Sequence, residues 1–395
     1  MGTFSVLMGI FILIALQRAH FKLFISMGLA VLSIVFLQIF KSGFDLRKLV
    51  DPILIFLKDS KFYEIVFMIY LIYVLGEMMK NSGAVERLKE TIKNLFEDPK
   101  LPVGFIPMII GLMPMPGGAM FTAPIVKPMG EIAKMNHLEI AVANYWFRHT
   151  MEFFWLVYPA MLIASSFAGI SLRSFMLRMF PTAVGAIIAG LLMIKVKSLK
   201  VRLKISDVMK LIWTLFPILV IIALVLFGVR GIVAVSVSVL ISTFIYKDLK
   251  SFVKGFKMEV ILLISMIFIY KAVITSFNLS RTIALEMTNW NIPSILIAIA
   301  MPFILGLMTG ITQASVGMSF PTIFALQCSL DPITLSMVSY FSAVMGVLLS
   351  PAHLCLALSA EYFGVGISKM LKKLGLSFII TSVVFMLSLI FSNGR

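Results

Sequence analysis

The sequence predicts an all-α polytopic membrane protein with about ten transmembrane helices, two re-entrant hairpins and interfacial helices, arranged as two inverted-topology repeats. Three observations lead to this fold class. Hydrophobic residues make up 60% of the 395 residues and charged residues only 13%, a composition whose apolar surface no soluble domain could bury. Two long apolar stretches are interrupted by glycine and proline. These two stretches also align with each other when the chain is shifted along itself.

Apolar stretches follow one another along the whole chain, and most meet the usual criterion of about twenty residues for a span. They lie at about 4–17, 22–40, 62–80, 103–134, 138–168, 172–194, 209–228, 231–246, 257–277, 292–327, 331–360 and 372–392. The first stretch has no basic segment before it and no small-residue cleavage pattern after it. We therefore predict that it is the first span and not a signal peptide.

The stretches 103–134 and 292–327 are each too long for one span and contain Gly, Pro, Thr and Ser near their middle. In hydrocarbon an unpaired backbone group costs several kcal/mol, so irregular backbone is tolerated only where protein or a water-filled cavity covers it. Each stretch is predicted to be a re-entrant hairpin that enters and leaves the membrane on the same side. The alternative for 103–134 is a single kinked helix.

The two hairpin segments align without a gap at a shift of 195 residues. The shift pairs Pro107 with Pro302, Gly111-Leu112-Met113 with Gly306-Leu307-Met308, Ala119 with Ala314, and Tyr145 with Tyr340; a shift of 197 pairs Tyr73 with Tyr270 and Asn81 with Asn278. Chance alignment of apolar sequence is the alternative. Each half then has five crossings and one hairpin. Because five is an odd number, the second half enters the membrane from the opposite side, and the two halves are inverted repeats. The predicted division is a first repeat at 1–194, a basic cytoplasmic linker at 195–208 and a second repeat at 209–395.

The formal net charge of +16 comes from Lys and Arg in the short loops between the apolar stretches, which indicates membrane topology and not nucleic-acid binding. Roughly twenty basic residues collect on one side against roughly ten on the other, so that side is predicted to be cytoplasmic. We expect a multi-pass protein of the cell inner (plasma) membrane with both termini outside. The amphipathic segment 84–98 is predicted to lie flat at the interface. The basic segment 195–204 lies near anionic headgroups or is a plain solvated linker.

Ionisable residues inside an apolar stretch are the first candidates for function. Arg148, His149 and Glu152 lie within 138–168, where such groups cost at least ~2.5–3.5 kcal/mol each. Arg148 and Glu152 are four residues apart on one helical face. They form either a structural ion pair or a substrate anchor or ion relay. His149 is either part of the site or a polar residue satisfied at the interface.

The hairpin tips supply the remaining candidates, because helix ends that point to the membrane centre carry partial charge. The predicted substrate-binding residues are Pro116, Gly117, Gly118, Thr122, Asn144, Arg148, His149, Glu152, Thr312, Gln313 and Ser315. The predicted ion-binding residues are Gly117, Thr122, Thr309, Thr312 and Ser319. Sodium is the favoured coupling ion because acidic residues in the spans are few, Glu77 and Glu152 being the main ones. A proton-coupled carrier or a sodium/proton antiporter is the alternative.

The sequence contains no metal-ligand spacing, phosphate-binding loop or nucleophile motif. The four histidines, His20, His137, His149 and His353, form no ligand set, and Cys328 and Cys355 are predicted to be small buried hydrophobes. We therefore expect no catalytic residue, no metal site and no cofactor apart from a coupling sodium ion. An intramembrane enzyme that uses Arg148, His149 and Glu152 is the alternative from a different class.

The segments PMPGGAMFTAP and MTGITQASVGMSFP, each followed by a broken span, resemble the hairpins of the ion transporter superfamily of secondary carriers. MPMPGGAM and NYWFRH are most similar to the uncharacterised domain-of-unknown-function family 401. The resemblance implies a secondary active transporter, a symporter. Arg148 predicts a small anionic organic solute, because its guanidinium fork matches a carboxylate. The resemblance also implies a homodimer in which a hairpin-containing domain slides past a scaffold by an elevator mechanism, with helices such as 84–98 as connecting arms. Neither tip has the Ser-Asn-Thr of the dicarboxylate branch, so the resemblance does not extend to dicarboxylate specificity.

Overall fold

The computed structural model describes residues 2–43, 45–112, 118–201, 204–326 and 328–393. These residues form α-helices joined by short turns. The first ten helices are α1 Gly2–Arg18, α2 Leu23–Ser42, α3 Leu46–Lys58, α4 Ser60–Asn81, α5 Ala84–Leu95, α6 Leu101–Ile110, α7 Gly118–Ile132, α8 His137–Thr150, α9 Pro159–Ala168 and α10 Leu172–Met193. The next ten are α11 Ile205–Leu226, α12 Gly231–Tyr246, α13 Lys250–Lys254, α14 Met258–Ser276, α15 Leu279–Asn289, α16 Ser294–Thr309, α17 Thr312–Ile323, α18 Pro332–Leu349, α19 Leu354–Phe363 and α20 Ile367–Asn393.

Seven helical stretches in the described part of the chain are long and apolar enough to cross a membrane. They are Leu23–Lys41, Ser60–Asn81, Leu172–Met193, Ile205–Leu226, Met258–Ser276, Pro332–Phe363 and Ile367–Phe391. Large apolar side chains such as Phe36, Phe244 and Ile390 are exposed along these and neighbouring helices, as expected for surfaces that lipid covers. The predicted class, an all-α multi-pass membrane protein, is confirmed. The number of ten crossings stays a prediction.

Contacts divide the chain into two compact units, of which the first comprises Met1–Phe67, Leu162–Ile170 and Lys257–Ser350. Its central helix is α18, in which every residue from Thr334 to Leu348 is buried. α18 packs against α16 and α17. The backbones approach closely at Gly306, where an added Cβ would lie 2.5 Å from the carbonyl oxygen of Ala343. Small residues at such crossings allow tight helix packing in membranes.

The second unit comprises Met68–Met161, Ser171–Phe256 and Pro351–Arg395. Its central helix is α8, which is buried from Ile140 to Thr150 and packs against α6, α7, α10, α19 and α20. A Cβ added at Gly104 or Gly190 would lie 2.8 or 2.7 Å from the ring of Phe147. The glycines of α6 and α10 thus make room for the aromatic side chains of α8.

The amphipathic helix predicted at 84–98 is α5, and Leu88, Ile92 and Leu95 of its apolar face are buried. This face packs against α6 and α11. The loop after α5 holds the start of the basic linker, because the Asp98 carboxylate accepts a hydrogen bond of 2.7 Å from the backbone N–H of Lys197. The first part of the linker is therefore hydrogen-bonded to this loop, and the choice between anionic headgroups and solvent around the linker stays open.

Candidate functional site

The first predicted hairpin is interrupted where the sequence places its glycines and prolines. α6 ends at Ile110 and α7 begins at Gly118. Pro116 and Gly117, two of the predicted site residues, lie outside the described residues. The two helices pack against each other, and Gly118 stands at the N-terminus of α7, where the helix dipole carries partial positive charge.

A second interruption follows α8. The helix ends at Thr150, Met151–Phe153 form one 3₁₀ turn, and α9 starts at Pro159. Proline disfavours helical backbone at the residue before it, so Pro159 favours a break at Tyr158. Glu152 therefore lies in the 3₁₀ turn beyond α8. Arg148 lies in the last turn of α8, and the 3₁₀ turn with Glu152 follows it directly, so the shared helical face of the two residues stays a prediction.

Two aromatic side chains join these interruptions. The Tyr158 hydroxyl donates a hydrogen bond of 2.7 Å to the carbonyl of Gly111. The indole N–H of Trp155 donates one of 2.9 Å to the carbonyl of Leu112. The last carbonyls of a helix have no partner within it and need donors from elsewhere. Residues of the break after α8 thus satisfy the backbone at the end of α6.

Arg148 lies at this junction with only 4% of its surface exposed. Its Nη1 donates a hydrogen bond of 3.2 Å to the Tyr158 hydroxyl. A Cβ added at Gly118 would overlap the Arg148 guanidinium, and one added at Gly111 would lie 2.6 Å from the Arg148 carbonyl oxygen. Both described glycines that flank the first interruption are therefore packed on this arginine. Glu152 is buried as well, at 6% exposure.

A neutral polar network lies on the next turn of α8. Thr122 and Asn144 are both fully buried, and the Thr122 hydroxyl contacts Asn144 Oδ1. The Asn144 amide donates to the carbonyl of Ala119 at 2.8 Å and to the Ser359 hydroxyl at 3.3 Å. The network connects α7, α8 and α19 beside Arg148. Gly118, Thr122, Asn144 and Arg148, four of the predicted substrate residues, thus lie together in the second unit, which also contains His149 and Glu152.

The residues of the second predicted tip lie in the first unit. α16 ends at Thr309, Gly310 has φ 66°, and α17 begins at Thr312. The hydroxyls of Thr309, Ser315 and Ser319 donate to the carbonyls of Leu305, Pro302 and Ser315 at 2.7, 2.6 and 2.7 Å. Thr312 is buried and Gln313 is half-buried. The meeting of the two tips stays a prediction.

A cluster that the sequence did not reveal lies on another side of α8. His149 Nε2 is 2.9 Å from His353 Nε2, and the ligand atoms of His149, His353 and Cys355 all lie within 4.8 Å of one another. His149 Nδ1 is 2.7 Å from the Tyr145 carbonyl. A carbonyl only accepts, so Nδ1 of His149 donates to it; in a neutral His149 ring Nε2 then accepts a hydrogen bond from Nε2–H of His353.

These three side chains could hold a metal ion. Sequence reasoning missed them because His149 and His353 are 204 residues apart and no local metal motif connects them. The available signal was the His-Leu-Cys tripeptide at 353–355, one residue after the Ser-Pro break at 350–351.

Comparison with known families matches the chain to a family of unknown function. The family model described as "Protein of unknown function (DUF401)" matches residues 3–391, nearly the whole chain. No curated protein matches the sequence.

Proposed function

We propose that this chain, which belongs to the DUF401 family of proteins of unknown function, is a secondary active transporter. Its substrate is a small anionic organic solute. The observation that carries this proposal is the buried Arg148 guanidinium at the junction of two interrupted helical segments. Ionisable side chains at membrane depth mark substrate and ion pathways. Discontinuous helices are the usual construction of binding sites in secondary transporters.

The chemistry of Arg148 favours a carboxylate as the group it binds. A guanidinium cannot lose its proton, and its planar fork matches a carboxylate through two parallel hydrogen bonds. The Tyr158 hydroxyl orients one nitrogen, and the N-terminus of α7 at Gly118 adds partial positive charge beside the guanidinium. Arg148 and Glu152 both lie close enough to Tyr158 to act on it electrostatically. We infer that a substrate carboxylate competes with Glu152 for the arginine.

The proposed internal repeat is supported by the helix boundaries. α5 and α15, α8 and α18, α9 and α19, and α10 and α20 each begin 195 residues apart, the shift at which the hairpin segments align. One close backbone contact recurs at the same shift: Gly111 approaches the carbonyl of Arg148, and Gly306 approaches that of Ala343. We propose that the halves are inverted and that the two interrupted helix pairs are re-entrant hairpins, an arrangement suited to alternating access.

The finer features of the mechanism are also part of the proposal. The resemblance to the ion transporter superfamily supports an elevator-type movement and a homodimer. Sodium coupling is supported by the hydroxyls and carbonyls around the α16–α17 break, since oxygen atoms without formal charge can hold sodium at helix ends. Proton coupling is the competing proposal, with Glu152 as the residue that would carry it.

Counterflow in proteoliposomes tests the proposal. A thermal-shift screen of small organic acids on the purified protein first identifies a ligand. We then expect trans-stimulated exchange of this ligand, a property that neither an enzyme nor an open pore shows. A sodium gradient should drive net uptake; dependence on a pH gradient alone would replace sodium by protons.

Variants of Arg148 test the anchor. Arg148→Lys keeps the charge but loses the fork, so it should fold and bind the ligand roughly tenfold more weakly or worse. The double variant Arg148→Ala, Glu152→Ala should fold without transporting. Arg281→Lys, at an exposed position on α15, is the matched control and should behave as the wild type. Transport by the double variant would show that Arg148 and Glu152 are only a structural pair.

A further inference from the structure

We propose that His149, His353 and Cys355 form a binding site for a single thiophilic d¹⁰ metal ion, Cu⁺ or Zn²⁺. This inference goes beyond the transport of an organic anion, which needs neither His353 nor Cys355. The three residues come from the last turn of α8, the residue before α19 and the first turn of α19, all in the second unit.

The donor atoms are close to the arrangement that a metal requires. Nitrogen ligands about 2.0–2.1 Å from a tetrahedral ion lie roughly 3.3 Å from each other, and a sulfur ligand at about 2.3 Å lies slightly farther away. The two Nε2 atoms are 2.9 Å apart, and every pair of ligand atoms lies within 4.8 Å. Shifts of about one ångström would therefore complete a three-ligand site with two nitrogens and one sulfur.

His149 is already oriented as a metal ligand. Ligating histidines usually donate their second ring N–H to a carbonyl or carboxylate, which fixes the tautomer and the ring plane. The Nδ1–H of His149 donates to the Tyr145 carbonyl, so the Nε2 lone pair points into the cluster. The imidazoles of His149 and His353 have their centroids 4.9 Å apart, and Tyr145 packs against both rings.

The proton balance of binding is simple. The ion displaces the proton between the two rings, and that proton moves to Nδ1 of His353, which leaves both imidazoles neutral. The Cys355 thiol loses its proton to solvent as the metal–sulfur bond forms. Binding thus releases one proton per ion and involves no change in oxidation state.

Charge favours Cu⁺ over Zn²⁺ at this site. Cys355 is buried, with 7% of its surface exposed, and a thiolate with Cu⁺ is neutral, whereas a thiolate with Zn²⁺ keeps one positive charge. Burial of net charge is costly, which favours the neutral pair; the nearby Arg148 and Glu152 carry opposite charges that offset each other. The C-terminus of α8 favours the cation and the N-terminus of α19 favours the thiolate.

An ion can reach the cluster through the break that precedes α19. Pro351 and Ala352 are exposed, and His353 is half-buried. His353 is therefore the ligand at the open side of the site, and Cys355 and His149 form its inner wall.

Metal titration of the full-length protein in detergent tests the site. Cu⁺ is added anaerobically under reducing conditions in competition with a chromogenic Cu⁺ chelator, and Zn²⁺ in competition with a fluorescent one. The chain has only two cysteines and four histidines, so it provides its own matched controls. We expect one ion per chain and a loss of affinity of roughly 100-fold or more in Cys355→Ser and in His353→Gln. Cys328→Ser and His137→Gln should bind as the wild type does.

Equal affinity in the wild type, Cys355→Ser and His353→Gln would overturn the proposal, and so would loss of binding in Cys328→Ser alone. A second measurement needs no change at the site: the ultraviolet difference spectrum of the Cys328→Ser protein with and without Cu⁺ should show a thiolate-to-Cu⁺ charge-transfer absorption. Absence of that absorption would also overturn the proposal, even if the site variants fail to fold. The assay measures no transport, so its result is independent of the proposed carrier function.

Discussion

At the scale of single residues, two glycines, Gly118 and Gly111, leave the space that Arg148 occupies. The guanidinium occupies the space that a Cβ would take at Gly118, and the Arg148 carbonyl approaches Gly111 just as closely. Neither described glycine has a positive φ. Both positions therefore need glycine for space and not for backbone conformation.

Gly118→Ala should displace the guanidinium and weaken binding of the organic-acid ligand, while the protein still folds. Overpacking of this kind costs about 1–3 kcal/mol, which corresponds to a loss of affinity of roughly tenfold or more. The ligand-induced thermal shift and counterflow rate measure the effect. Gly375→Ala is the control, because a Cβ at Gly375 meets nothing within 4 Å. Wild-type affinity in Gly118→Ala would mean that Arg148 does not bind the ligand.

Individual residues show where prediction from sequence stops. An arginine in an apolar stretch is conspicuous, so Arg148 could be chosen as a site residue without a structure. Its partner Tyr158 could not be, because tyrosine is common at such positions and its contact with Gly111 depends on the break after α8. The His149–His353 contact depends on the packing of α19 against α8, which no local pattern encodes.

At the scale of elements, the Asp98 carboxylate is one of the groups that join the loop after α5 to the linker. Asp98 accepts hydrogen bonds from the backbone N–H groups of Lys100 at 2.9 Å and Lys197 at 2.7 Å. Burial raises the pKa of Asp98, but the backbone N–H groups of Lys100, Lys197 and Ser198, together with the Lys100 charge, outweigh it, so the net pKa is lowered. The charged form of Asp98 therefore fixes the linker to this loop.

Asp98→Asn should lower the free energy of unfolding by about 1.5–3 kcal/mol at neutral pH, the range for hydrogen bonds to charged groups. Because the pKa is lower in the folded state, the stabilisation is fully present above the unfolded pKa and is lost as the pH falls through the folded pKa. Thermal unfolding in detergent from neutral to acidic pH measures both effects.

The control for this change is Glu131→Gln, at an exposed position near the end of α7, which should unfold as the wild type does. In Asp98→Asn the difference from the wild type should shrink in acid. A difference that is absent at neutral pH, or constant with pH, would contradict the role of Asp98.

At the scale of the whole molecule, the membrane class followed from composition alone, and the long helices lie close to the predicted stretches. The two interruptions also lie inside the segments that glycine and proline mark. The topology is harder to predict, because orientation depends on small differences in loop charge and on which apolar helices cross fully. Shorter apolar helices such as Gly2–Arg18 and Gly231–Tyr246 have lengths that fit either a helix that crosses a locally thinned bilayer or a helix buried inside the protein.

Cysteine labelling in inverted and right-side-out vesicles tests the topology of 103–134. In a background with Cys328→Ser and Cys355→Ser, single cysteines replace Glu97 and His137, which are both exposed and flank the segment. A re-entrant hairpin predicts that a membrane-impermeant maleimide labels both from the cytoplasmic side. Lys369→Cys marks that side as the control. Labelling of the two positions from opposite sides would show that the segment crosses as one kinked helix.

The aromatic donors at the end of α6 also determine which parts of the second unit can move separately. Tyr158 and Trp155 replace the water that would otherwise solvate the carbonyls of Gly111 and Leu112. Any relative sliding of the two interruptions would break both bonds at once and leave the buried Tyr158 hydroxyl and Gly111 carbonyl unsatisfied, at about 1–3 kcal/mol each. The end of α6 and the break after α8 should therefore travel as one rigid body, and a conformational cycle would have its hinges elsewhere.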